Sequence, residues 1–228
     1  MSDEAAAREP AAREPGTQEL DQRHGGGPGV LISFGPWIAV WVLTSNNSYI
    51  PGLIVAVVVS VGLIGWTYWE GKKPKLLDWG TLAVMAIFTV VGLVVNEQWL
   101  GDWLNTFLNG SLLLVMLAGL VVGRPFTIEY AKEETPEEFW DLPDFKKINY
   151  TITIVWVLAV AAMTIGAAVD SLYSTGVIAT DAKNAKNIET WANWGVTIIA
   201  LVVAMKFTGW YPDAYMARKQ RLAGGAAA

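Results

Sequence analysis

The sequence predicts an all-α polytopic membrane protein, a helical bundle of six transmembrane helices, or five if the first segment does not cross. Three observations predict it. The 228-residue chain is 53% hydrophobic, with a mean hydropathy of +0.36. Only 16% of its residues are charged, where soluble domains carry about 25%. The apolar residues fall in six runs, most of them near the roughly 20 residues that a helix needs to cross a bilayer core. In hydrocarbon the backbone must satisfy itself within each segment. Runs rich in Val and Ile, which favour strands in water, are therefore read as helices.

Residues 1–28 are predicted to be a disordered tail. "AAREP" occurs there twice in tandem, and Gly25–Gly27 follow. The tail has almost no large apolar side chains to offset the entropy of ordering, and it is too polar for the core of a signal peptide. The transmembrane domain is placed at 29–211. Its first segment, 30–45, is short and carries Pro36 near its middle, so it is expected either to kink or to enter without crossing. "NNS" at Asn46–Ser48 fits a glycosylation pattern and is read as a polar turn. The remaining spans are placed at 49–69, 79–96, 103–123, 149–171 and 191–210, followed by a tail at 212–228. Asp78–Trp79 and Asp102–Trp103 mark span starts, where an acidic cap and an anchoring indole suit the position.

Small residues suggest how the spans pack. Gly119 and Gly123 form a GxxxG, and Ala162 and Gly166 repeat the spacing on the fifth span. Such faces let helices approach closely, so the fourth and fifth spans are expected to be neighbours. Asn109, inside the fourth span, is expected to seek an interhelical hydrogen bond of about 0.6–2 kcal/mol. Ionisable residues within the spans are few. Asp170 lies at one end of the fifth span, at an interface or facing a partner, and Lys206 is placed to snorkel.

Charge sets the orientation. With six spans, the N-terminal tail, the second and fourth connectors and the C-terminal tail share one side. That side holds thirteen of the sixteen Lys and Arg, and the other holds only Lys183 and Lys186. The positive-inside rule then makes both termini cytoplasmic and, for a bacterial chain, the inner (plasma) membrane the location. Tryptophans fall at the predicted headgroup levels as interface anchors. Trp66, Trp69, Trp79 and Trp210 stand on the basic side, and Trp99, Trp103, Trp191 and Trp194 on the other.

The connector at 124–148 is far longer than a helical hairpin needs. It carries seven acids, four bases and three prolines. Pro125 and Pro136 suit first helical positions. Thr135 with Glu138 reads as a capping box, and Pro143 as the stop of a second helix. The expectation is one or two short amphipathic helices lying at the membrane interface. Phe139, Trp140, Phe145 and Tyr130 are the candidate residues for docking a partner protein.

"FGPWIAVW", a second span ending in "GWTYWEGKKPK", a third ending in "VVNEQWLGDWLNT", and "GRPF" leading into "KKINYTITIVW" together resemble the bacterial intracellular septation protein A family. These are small polytopic inner-membrane proteins. The resemblance covers roughly residues 31–210 and rests on span spacing and short motifs. Phe34, Pro36, Lys72, Lys73, Arg124, Pro125 and Asn149 carry it. The long acidic tail and the acidic connector depart from the family pattern. The family brings no catalytic residues to carry over. It implies a role in envelope synthesis or division through contacts with other proteins.

The chain contains no cysteine, which excludes disulfides, thiolate metal sites and cysteine nucleophiles. Its one histidine, His24, lies in the polar tail, so the spans hold no imidazole ligand or base. No cofactor and no metal site are expected, and a net charge of −5 gives no reason to expect nucleic acid. The expected partners are the lipid bilayer and other membrane proteins or a second copy. The function read from these features is a non-enzymatic integral membrane protein that supports envelope or division complexes. The alternatives are an accessory subunit of a larger membrane complex, or a small transporter or channel.

Overall fold

The computed structural model describes residues 33–43, 49–95 and 97–225. The predicted tail at 1–28, the turn at Asn46–Ser48 and both ends of the first segment lie outside the described residues. The described chain is helical throughout, and five of its helices are long and apolar enough to cross a membrane.

Helix α1, Gly35–Leu43, is the described part of the first segment. Its nine residues rise only about 14 Å, roughly half of a bilayer core. Pro36 does not kink it. It stands in the first turn, where a missing N–H costs nothing, and its ring is fully buried. Helices α2, Tyr49–Trp69, and α3, Leu76–Val94, form the next hairpin. Helix α4, Glu97–Val121, runs back to the connector. The connector holds α5, Phe126–Glu134, and a single 3-10 turn at Glu137–Phe139. Helix α6, Pro143–Ser174, is followed by the short α7, Ala182–Ile188, and a π-helical turn at Glu189–Gly195. Helix α8, Val196–Gly225, closes the chain.

Two helices outrun their predicted spans. At 32 and 30 residues, α6 and α8 are about 48 and 45 Å long, well beyond a core of about 30 Å. The stretch from 212, expected as a tail, continues α8 through Pro212. A proline there removes one backbone bond, but Tyr211, Tyr215 and Met216 around it pack against the core and hold the helix on α6.

Each long helix packs on its neighbour in sequence: α1 on α2, α2 on α3, α3 on α4, α4 on α6, and α6 on α8. Two apolar clusters result. One gathers Val40, Leu53, Ala56, Met85, Leu100 and Leu104 from the first four helices. The other gathers Leu77, Met116, Phe126, Trp156, Val160 and Ala204 around α6. Trp37 packs against both and donates its indole N–H to Thr81 Oγ1 at 3.0 Å.

The fourth and fifth spans are neighbours, and of the predicted glycines Gly123 meets that seam at its end. Gly123 lies against α6, where a Cβ would meet Tyr150 Oη at 3.5 Å, and it also ends its helix. Its φ of +76° makes it the left-handed stop of α4, and Arg124 N–H returns to Gly119 O at 2.8 Å. A Cβ on Gly119 would meet that Arg124 carbonyl at 2.9 Å and Leu76 Cδ2 at 3.1 Å. Gly166 is buried against the Ala192 carbonyl of the π-helical turn, so its face serves the sixth span, with Ala162 half-buried one turn earlier. The α4–α6 seam is polar at its other end. Ser171 Oγ donates to Asp102 O at 2.7 Å and takes a bond of 2.9 Å from Thr106. Asn109 stands half-buried beside this seam, and none of the side-chain hydrogen bonds found across it is its own. Asp170 accepts from Asn193 Nδ2 at 3.3 Å.

Candidate functional site: the connector and its pedestal

The connector is built from the helix ends that surround it. Pro125 is buried and acts as the N-cap of α5, one position earlier than the sequence suggested. Helix α5 then turns Phe126, Thr127 and Tyr130 inward. Phe126 meets Trp156 edge-on with ring centres 6.3 Å apart, and Phe34 stacks on the same indole at 5.6 Å. Trp156 N–H donates to Thr208 Oγ1 at 3.0 Å, so one indole joins the first segment, the connector and α8.

Beneath α5 lies a small polar knot. The Thr127 hydroxyl is 2.8 Å from Asn149 O and 2.7 Å from the Thr153 hydroxyl. Asn149 Nδ2 donates to Phe145 O at 2.9 Å. All three side chains are buried, and their hydrogen bonds are what permits that.

The outer side of α5 is tied to the start of α3. Leu76 N–H, one of the donors a helix start leaves unpaired, donates to Glu129 Oε2 at 2.8 Å. Lys75 N–H donates to Asp78 Oδ2 at 2.9 Å. Asp78 is thus the third helical residue reaching back, not the cap itself. Lys75 Nζ pairs with Glu133 at 2.8 Å and sits 4.5 Å above the Tyr130 ring. Burial pushes the Glu129 carboxyl above its usual range, outweighing the Leu76 N–H that lowers it. Burial likewise pushes the Tyr130 hydroxyl well above its usual value. That hydroxyl lies beside the Ser33 side chain without a hydrogen bond of ordinary geometry among the described residues.

From this pedestal projects the turn at 135–142. Thr135 does not cap a second helix. It ends α5, and its carbonyl accepts the Trp140 indole N–H at 2.8 Å. Pro136 caps the 3-10 turn instead. Pro143 stops nothing. It opens α6 as its first residue, where its fixed φ suits a helix start. Lys132 Nζ lies 4.7 Å over the Trp140 ring, and Lys146 pairs with Asp141 at 2.9 Å, which holds that carboxyl below its usual range. Glu137, Glu138, Asp141 and Leu142 are exposed, while Phe139, Trp140 and Phe145 are half-buried. Tyr130, grouped with them from the sequence, is in the core at 6% exposure. Alongside, Tyr215 donates to Asp144 Oδ1 at 2.9 Å and Lys219 pairs with its other oxygen, which fastens the far end of α8 to the first turn of α6.

Sequence reasoning missed Trp37, Trp156 and Thr208. The available signal was position: those two indoles sit inside their segments, where an N–H must find a partner. Of the eight tryptophans named as anchors, Trp66, Trp69, Trp79, Trp99 and Trp103 lie toward helix ends, Trp191 and Trp194 lie in the π-helical turn, and Trp210 stands midway along α8. Seven are exposed and Trp103 is half-buried. Of the positions that carry the family resemblance, Pro36, Pro125 and Asn149 are buried, Phe34 is half-buried, and Lys72, Lys73 and Arg124 are exposed.

No family model matches the chain, and neither a curated protein nor a solved structure matches it. The fold and the connector define the class as far as the comparisons reach: an all-helical chain with five helices suited to crossing a membrane, consistent with a multi-pass membrane protein.

Proposed function

We propose that this chain is a non-enzymatic scaffold of the inner membrane, with both termini cytoplasmic, and that its connector docks a protein of the envelope-synthesis or division machinery. One observation carries the reading. Helix α5 is locked on three sides, by Thr127, Glu129 and Glu133, while the acidic and aromatic turn at 135–142 stands out from it. A loop held this rigidly loses little entropy when a partner binds. The exposed acids favour a partner face rich in Lys and Arg. The resemblance to the septation protein A family supports the cellular setting, and the charge distribution supports the orientation.

A second reading, an accessory subunit of a larger membrane complex, is favoured by α8. That helix rests chiefly on α6, and Ile198, Ile199, Val202 and Val203 are exposed along it.

The test is brief crosslinking in cells, purification in a lipid-preserving medium and mass spectrometry of what is recovered. It is run beside a variant with Phe139, Trp140 and Phe145 all changed to Ser. A defined partner recovered with the native chain and lost with the folded variant supports docking at the connector. A partner retained by the variant moves the contact to α8. Recovery of the chain alone removes the scaffold reading.

A further inference from the structure

The end of the bundle opposite the basic connectors carries a second feature, which the connector reading does not use. Gly176, with φ +74°, turns the chain back at the end of α6, and Ile178 N–H returns to Leu172 O at 3.0 Å. The returning loop, α7 and the π-helical turn then enclose an open cleft of about 740 Å³ against α6. That volume lies within the range of small-molecule sites. Tyr173 and Trp191 supply aromatic faces, Asn184 and Asn187 supply amides, and Thr180 supplies a hydroxyl. Among the described residues, none of the side chains lining the cleft carries a charge.

The local structure presents these groups. Asp181 caps α7 by accepting Asn184 N–H at 2.8 Å, and its second oxygen accepts Asn184 Nδ2 at 2.9 Å, which fixes that amide. Trp191 sits within the π-helical turn and is 68% exposed, so its ring face is open to a ligand. Single π-helical turns within α-helices recur at functional sites, where the extra residue re-aims side chains. Asp170, the nearest carboxylate on α6, is engaged by Asn193.

We propose that this cleft binds a neutral sugar ring. The apolar face of such a ring stacks on indole, and its hydroxyls match amide and hydroxyl groups spread around a wall. An ion would need a charged liner, and a purely apolar ligand would make no use of the Asn187 amide or the Thr180 hydroxyl. A free glycoside and a glycolipid headgroup share this chemistry.

The experiment uses the full chain in nanodiscs. Saturation-transfer NMR reads binding of methyl β-glucoside. Native mass spectrometry reads monoglucosyl-diacylglycerol retained from the bilayer. Trp191→Ala and Asn187→Ala alter exposed side chains in the cleft, and Trp69→Ala is the control at the opposite end. Binding of the soluble glycoside that weakens at least tenfold in both cleft variants and is unchanged in the control establishes a free-sugar site. Retention of the glycolipid alone, with the same sensitivity, establishes a headgroup site. No saturable binding of either probe overturns the proposal. So does binding indifferent to both cleft variants, or displacement by adenosine in preference to the glycoside.

Discussion

Thr127 shows how much one hydroxyl holds in this molecule. It meets Asn149 O and the Thr153 hydroxyl within 2.8 Å. Thr127→Val keeps the shape and strands a buried hydroxyl, so it is expected to cost about 1–3 kcal/mol. Thr127→Val combined with Thr153→Val should recover part of that loss, as measured by unfolding in mixed micelles. Glu129 gives a pH dependence. Its carboxyl titrates above the ordinary value of 4.5 because it is buried near Asp78, against the opposing pull of Lys75 and Arg124. A raised folded-state pKa supplies stability at low pH that is lost as pH rises through the folded value. Glu129→Gln still accepts the Leu76 N–H and carries no charge. It should therefore gain on the native chain in thermal unfolding as pH rises from the ordinary carboxylate value of 4.5, and a gap that does not widen above that value would exclude the burial argument. Neither role was legible in the sequence. Thr127 and Glu129 look like ordinary connector residues until α5 is seen to turn one inward and reach the start of α3 with the other.

At the scale of elements, close approach decides which glycines matter. A Cβ on Gly80 would stand 2.6 Å from Val115 Cγ1, whereas one on Gly62 would meet nothing within 4 Å. Gly80→Ala is therefore expected to cost about 1–3 kcal/mol by pushing α3 from α4. Gly62→Ala should be neutral or slightly stabilising through helix propensity. Equal melting temperatures for the two variants would contradict that packing. The long spans were legible because twenty apolar residues in a row admit few other readings. Their ends were not. Pro143 reads equally well as a stop or a start, and only the packing of Ile148, Ile152 and Trp156 below it settles that it begins α6. GxxxG is ambiguous for a related reason. Gly123 has the spacing of a packing face and the backbone of a helix stop, and spacing alone does not separate them.

For the whole molecule, the hydrogen bond from Leu76 to Glu129 and the pairing of Lys219 with Asp144 bring the second connector, the fourth connector and the end of α8 to one end of the bundle. The charge count assigned these same segments to one side. The chain has no cysteine of its own, so single cysteines report orientation directly. Lys73→Cys is expected to resist a membrane-impermeant thiol reagent in intact cells, and Thr180→Cys to react. The reverse pattern would invert the proposed topology.

The order of packing also bears on how the molecule is made. Every long helix rests on the one synthesised just before it, with only the connector and α7 between some pairs. A nascent chain leaving the ribosome therefore never has to hold an early helix in waiting for a distant mate. Each hairpin finds its wall already standing. The last arrival, α8, rests chiefly on α6, so a chain truncated before it should still insert and assemble α1 to α6.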